Sequence, residues 1–200
     1  MKDSKKISLF INTATKSLSL GISDNVKEKT IDLGNPKAAL ERTHLGISML
    51  LEEMGVTLKD VDCFYCLLGP GSNTGIRLGL TIPRTIYALN PNIKVFGIPT
   101  MDLLCLEGNH AALSDRNGNL FFAKKVDGKT SYERIDRKDI GNIQDVEIVV
   151  EKEDEMANEE LVNHHLTTVN VLSLMMKHKD SFIDFSDKEE EYLPEYILKI

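Results

Sequence analysis

Gly69-Pro70-Gly71-Ser72-Asn73-Thr74-Gly75-Ile76-Arg77 is the most informative stretch of this 200-residue chain. It follows an apolar run at residues 61–68. It precedes a segment, about 75–89, in which Leu78, Ile82, Ile86 and Leu89 recur at helical spacing. The stretch is therefore a glycine-rich turn from a buried strand into a helix. Its glycines permit close backbone approach, and the free amides of a helix start can hold an anion, with Arg77 nearby. No Lys-Ser/Thr pair follows the last glycine, so this is not a Walker loop. A second reading is steric. Gly71, Gly75 and Gly79 are four apart and line one stripe that lets another backbone come close, within the chain's own core or across a subunit contact. Spacing does not choose between these.

Outward from the turn, the pattern is that of an α/β layer protein. Residues 7–11, 18–23 and 26–33 read as an opening β-meander, ended by Asn35-Pro36. Leu40, Ile47, Leu50, Leu51 and Met54 give a helix over 37–54, with Gly55 as its stop. Residues 63–68 and 94–98 read as strands, and Pro99-Thr100 opens a short helix over 101–106. The second half predicts strands at 111–115, 120–126, 129–135 and 146–150, with turns at Asn117-Gly118 and Asp127-Gly128. A helix is expected over about 158–177 and a tail over 181–200. The halves look like variants of one plan, strands first and helix later. The expected boundary separates an N-terminal lobe, 1–106, from a smaller acidic lobe, 107–200.

Composition limits the function classes. Apolar residues make up 42% and the net charge is −7, which argues against unaided grip on nucleic acid. Residues 1–100 carry 12 basic and 9 acidic side chains, and residues 101–200 carry 12 and 22. A solvated acidic tail is the simplest account of that imbalance. No apolar run is long enough to cross a bilayer, and the start does not resemble a signal peptide, so a cytoplasmic location is expected. Cys63 and Cys66 fit C-x-x-C but lie on a strand, where residues three apart face opposite ways. With Cys105 they read as buried thiols rather than a redox or zinc pair.

Ten of eleven positions in residues 69–79 match the G-P-G-S-F-T-G-[LI]-R-[IL]-G signature, so the chain resembles the TsaB (YeaZ) family. Asn12-Thr13-Ala14-Thr15 is similar to that family's D-T-[AS]-T, and Arg42-Thr43-His44 to its H-[ST] element. Gly97-Ile98-Pro99-Thr100-Met101 and Pro194-Glu195-Tyr196-Ile197 are similar to its V-x-S/T-L and closing P-x-Y-L. The resemblance is strong over 7–106 and thin over 107–190. Asn73 stands where the family has an aromatic residue, and Pro83 falls inside the second helix, where it removes a backbone hydrogen bond.

The resemblance implies the two-lobed actin, sugar-kinase and Hsp70-ATPase fold with a shortened second lobe. It implies a non-catalytic scaffold or activator that works with the catalytic subunit TsaD and the ATPase TsaE. The product is threonylcarbamoyl-modified adenosine next to the tRNA anticodon. No firmly bound cofactor is then expected, ATP and magnesium being handled by TsaE and a metal by TsaD. A homodimer is expected when the chain is alone, and tRNA contact only through the complex. The implied partner surface comprises Gly71, Gly75, Arg77, Leu78, Gly79 and Ile82, with Ile47 and Leu51 of the first helix. A vestigial nucleotide site would comprise Asn12, Thr13, Gly69, Gly71 and Ser72. TsaD-like enzymes hold metal with H-x-x-x-H, but no two of His44, His110, His164, His165 and His178 are four apart. Asn12 replaces an acid and is a poor magnesium ligand. Alternatives are a glycoprotease-like peptidase or kinase of the same fold group, and a homodimeric module with another client.

Overall fold

The computed structural model describes residues 5–34, 38–115, 117–143, 146–158, 164–184 and 186, without the side chain of 164. Strands β1 (Ile7–Asn12), β2 (Leu18–Ser23) and β3 (Glu28–Gly34) form the expected antiparallel meander. Helix α1 (Ala39–Met54) crosses over to β4 (Val61–Leu67), and α2 (Asn73–Leu89) to β5 (Lys94–Ile98). Both β4 and β5 run parallel to their neighbours, β1 and β4. The first sheet thus reads β3-β2-β1-β4-β5. Gly55 takes φ 66° and caps α1 as a left-handed stop. Pro83 sits on the buried side of α2, which continues through it. The Asn35-Pro36 break lies outside the described residues.

Helix α3 (Thr100–Leu104) leads to a second sheet built on the same plan. Strands β6 (His110–Ser114), β7 (Asn119–Val126) and β8 (Lys129–Asp136) are a second meander. Strand β9 (Val146–Glu151) lies parallel to β6, and β10 (His164–Val169) parallel to β9. The order β8-β7-β6-β9-β10 repeats that of the first sheet. This is the two-lobed arrangement expected from the sequence. The second lobe is shortened because short 3-10 segments, Arg137–Asn142 and Glu155–Asn158, stand among the described residues where lobe I has full crossover helices.

The helix expected over 158–177 is a correction. Residues 164–169 are strand β10, and among the described residues of that span only Val171–Lys177 is α-helical (α4). Thr167, Thr168 and Val169 are β-branched and favour the strand, and Asn170 caps α4 by accepting from the Ser173 amide at 2.9 Å. The chain then returns to the first sheet. Helix α4 packs on β1 and β2, and β11 (Ile183–Asp184) pairs with β5. Residues 187–200, including the Pro194–Ile197 motif, lie outside the described residues.

Each sheet divides its side chains by alternation. Leu9, Ile11, Leu20 and Ile22 face α1 and α2, while Phe10, Gly21 and Tyr65 face the α4 side. On that second face Phe10, Tyr65 and Phe96 stack across three strands, with centroids 4.7 and 5.1 Å apart, and Phe182 covers Tyr65 edge-on. In the second sheet, Ala111, Leu113, Ala123 and Val149 join the main core, so the lobes share one continuous apolar interior. Ala112, Leu120, Phe122, Ile148 and Val150 form a separate core on the other face, covered by Ile140 and Met156 of the 3-10 segments. Cys63, Cys66 and Cys105 are buried and free. Burial pushes all three thiols up, Cys105 to about 11.

Candidate functional site

The glycine-rich turn meets the β1–β2 turn at the mouth of a cleft between the lobes. A methyl group on Gly75 would overlap the Thr13 carbonyl oxygen, and one on Gly71 the Ala14 carbonyl oxygen. On Gly79 it would stand 2.6 Å from Thr13 Oγ1. The Thr13 hydroxyl donates to the Gly75 carbonyl at 2.6 Å. The glycine stripe is therefore filled by the chain's own strand turn. This corrects the assignment of Gly71, Gly75 and Gly79 to a partner surface, since their open sides are already occupied. Ile47 and Leu51 are likewise buried against the sheet, while Arg77 is exposed and Leu78 and Ile82 are half-buried.

Two amides of this turn are used within the chain. The Ser72 amide donates to the Ala14 carbonyl at 2.7 Å, and the Gly75 amide to Ser72 Oγ at 3.2 Å. The Gly69 carbonyl accepts from the Thr100 amide at 2.8 Å. Asn12 is fully buried, and its Nδ2 donates to Thr15 Oγ1 and the Ser17 carbonyl, both at 2.9 Å. It therefore organises the β1–β2 turn from inside and does not open onto the cleft.

Sequence reading missed Glu151. Alternation along β9 sends Ile148 and Val150 to the second core, and Val149 and Glu151 toward lobe I. The Glu151 carboxylate, 1% exposed, meets the β1–β2 turn. Its Oε1 accepts from the hydroxyls of Thr15 at 2.6 Å and Ser17 at 2.5 Å, and from the Ser17 amide at 3.1 Å. Its Oε2 accepts from the Lys16 amide at 2.9 Å. A parallel arrangement exists in lobe II. Buried Asp154 accepts from the Ser114 amide at 2.9 Å, the Ser114 hydroxyl at 2.5 Å and the Met156 amide at 3.0 Å.

The cleft has a volume near 420 Å³. Lobe I contributes Ala14–Lys16 and the start of α2, Pro70–Thr74, and lobe II contributes Leu113–Asp115, Asn117, Phe121 and Arg134. Its cations are paired. Arg134 binds Asp115 Oδ2 through Nε at 2.9 Å and through its terminal nitrogen at 2.5 Å. Burial opposes ionisation of Asp115, yet the Asn119 amide and Arg134 hold its carboxyl below the usual range. Lys16 and Arg137 share Glu155, at 3.2 and 3.1 Å. Among the described residues no three His, Cys, Asp or Glu side chains converge as a metal centre.

The outer surfaces of α1 and α2 carry a different chemistry. Leu45 is 62% and Met49 49% exposed, one turn apart on α1, and Leu89 is 83% exposed at the end of α2. Leu78, Ile82 and Ile86 run along α2 toward Leu89 and are half-buried.

The model of a family described as TsaD, tRNA N6-adenosine threonylcarbamoyltransferase, matches residues 37–178. The chain belongs to this TsaD family. Its fold is that of YeaZ from Pseudomonas aeruginosa, with a TM-score of 0.64 at 14% identity over 92% of this chain and 97% of that one. A second solved structure, of an uncharacterized protein similar to peptidase YeaZ from Pseudomonas aeruginosa, gives 0.67 at 14% identity with the same coverage. The family match and these neighbours support placement with the TsaB (YeaZ) members. The uncharacterized protein MG208 homolog of Mycoplasma pneumoniae is 30% identical over 106 residues. The match covers 52% of this chain and 54% of that protein, about half the length of each.

Proposed function

We propose that this chain is an accessory subunit in tRNA threonylcarbamoyladenosine synthesis, a scaffold or activator for a TsaD-like catalytic subunit assisted by a TsaE-like ATPase. The observation that carries the reading is the exposed apolar surface of α1 and α2, where Leu45, Met49 and Leu89 have no cover. Exposed large apolar side chains that line up, as Leu45 and Met49 do one turn apart on α1, mark contact surfaces. Family membership supplies the pathway. The internal use of the Ser72 and Gly75 amides, and the paired cations of the cleft, favour partnership over chemistry by the chain itself. A second copy of the chain is the other occupant this surface fits. In this reading tRNA is reached through the complex, and metal and ATP chemistry belong to the partners.

The test is co-purification with a TsaD-like subunit, together with mass spectrometry of the modified adenosine after depletion. Leu45→Asp and Leu89→Asp are exposed changes, so they leave folding intact. Each is expected to weaken the complex by roughly 10- to 100-fold, the cost of losing an apolar contact of about 1–3 kcal/mol. If the native chain neither binds nor stimulates a TsaD-like subunit, the proposal fails. Sedimentation of the same variants separates partner loss from loss of self-association.

A further inference from the structure

The β7–β8 hairpin is pinned by one face and presents lysines on the other. Its turn has two residues, Asp127 at φ 51° and Gly128 at φ 77°, and the strands pair from Val126↔Lys129 to Asn119↔Asp136 without a slip. Cross-strand partners share a face. Tyr132 and Lys125 take the face toward lobe I. There the Tyr132 hydroxyl donates to Asp102, in α3, and the Lys125 ammonium to the Cys105 carbonyl at 3.4 Å. The opposite face carries Lys124, Lys129 and Ser131, all exposed. His110 of β6 stands directly opposite Lys124, its ring stacked on Phe122. Lys124 and Lys129 are diagonal neighbours on this face, about 7–8 Å apart. Other cations of the lobe are paired, Arg134 with Asp115, Arg137 with Glu155 and Lys138 with Asp136. Lys124 and Lys129 have no side-chain partner among the described residues. The acids nearest the turn in sequence are Asp127 and Glu133, fewer than the lysines, in a half-chain of 12 basic and 22 acidic residues.

We propose that this face of the hairpin is an RNA contact, in which Lys124 and Lys129 hold neighbouring phosphates of the RNA backbone while the chain sits in its complex. Unpaired ammonium groups at fixed spacing on a rigid ribbon suit a polyanion, because each phosphate they neutralise releases condensed counterions. Contacts of this kind position RNA without reading its sequence. Two of them are too few for unaided grip by a chain of net charge −7, and they add to the contacts of a partner. The inference rests on the reading of the chain as a subunit in tRNA modification. The hairpin belongs to the second sheet and the exposed apolar side chains to α1 and α2, so the two contacts can be lost separately.

Two measurements test it. In the first, the full chain alone is titrated in low salt with a single-stranded RNA oligonucleotide while its backbone amide shifts are recorded. Shifts are expected to concentrate at residues 124–131 and to fade as salt is raised. Polyglutamate of equal charge is the comparison. Hairpin shifts that are absent, or as large with polyglutamate, would overturn the proposal. In the second, tRNA binding is measured against salt for the chain assembled with its TsaD-like and TsaE-like partners. The double variant Lys124→Ala, Lys129→Ala should flatten the slope of log K against log salt by about 1.4–1.8, which is roughly 20- to 60-fold weaker binding at about 0.1 M salt and little change at about 1 M. Lys124→Arg with Lys129→Arg keeps both charges and should bind as the native chain does. Lys27→Ala with Lys59→Ala removes two exposed lysines of lobe I and should leave the slope alone. A native slope in the hairpin alanine variant, or an equal loss in the lobe I control, would overturn the proposal. If no complex assembles, the functional reading fails, and the first measurement still decides the hairpin.

Discussion

Replacing Gly75 by alanine tests whether the glycine stripe is internal packing. The added methyl would overlap the Thr13 carbonyl oxygen, a backbone atom. Thr13 cannot give way, because it is 4% exposed and adjoins fully buried Asn12. Helix α2 must move instead. Overpacking of this kind costs about 1–3 kcal/mol. The shift also strains the 2.6 Å bond from the Thr13 hydroxyl to the Gly75 carbonyl, worth about 1 kcal/mol. Against this, alanine gains at most about 1 kcal/mol of helix propensity, less in a first turn. The net is a loss of about 1–4 kcal/mol, a large part of the ~5–15 kcal/mol that holds a typical domain. For a chain of this size that is a fall of roughly 3–15 °C in Tm. Urea and thermal unfolding of the isolated chain measure it. The control is Gly141→Ala, where an added methyl meets nothing within 4 Å. It should be neutral or stabilising by about 0.5 kcal/mol. If Gly75→Ala is as stable as Gly141→Ala and loses only partner binding, the stripe is a docking surface and the packing argument is wrong.

Two further outcomes follow from buried and paired groups. The Lys177 ammonium and the His178 ring hold the Glu107 carboxyl below its ordinary 4.5. Its folded pKa lies under its unfolded one, so its contribution is full above about pH 4.5 and is lost as pH falls through the depressed value. Glu107→Gln should flatten the fall of the urea midpoint below pH 4.5, and an unchanged acid limb would refute the assignment. The three cysteines should ignore a thiol reagent such as Ellman's in the native chain and all react in denaturant, because burial raises each thiol's pKa and bars access. Rapid labelling of one thiol without unfolding would contradict the core described above.

The first lobe was legible because its signals are local and agree. Alternation in 18–23, a 3.6-residue repeat ended by Gly55, and a glycine turn between strand and helix each name one structure. Residues 158–177 misled because Leu166, Val169, Leu172 and Met176 recur at helical intervals, although a strand-forming triplet, Thr167-Thr168-Val169, and a capping Asn170 interrupt them. The glycine stripe was visible, but what fills it was not, since Thr13 and Gly75 are 62 residues apart. Glu151 gave one faint signal, a carboxylate extending the Ile148-Val149-Val150 run at the end of a strand. Its partners lie over a hundred residues away, where no spacing rule reaches.

The repeated sheet plan also separates the exposed apolar side chains of lobe I from the contact between the lobes. In lobe I the crossovers are full helices, so each has an outer face left over once its inner face is buried. In lobe II the described crossovers are 3-10 segments that serve chiefly to cover one sheet face through Ile140 and Met156. Exposed apolar side chains therefore collect on α1 and α2, while the Glu151 carboxylate at the end of β9 ties lobe II to the β1–β2 turn. Leu89 ends a 17-residue helix whose start lines that cleft, a separation of about 24 Å at 1.5 Å per residue. Substitutions that far apart, with no shared partner, add independently. Leu89→Asp should weaken docking with no change in melting temperature, and Glu151→Ala, which empties a buried set of hydrogen bonds, should lower the melting temperature with no change in docking. A double variant whose docking defect exceeds the sum of the single effects would show instead that closing the lobes and binding the partner are one event.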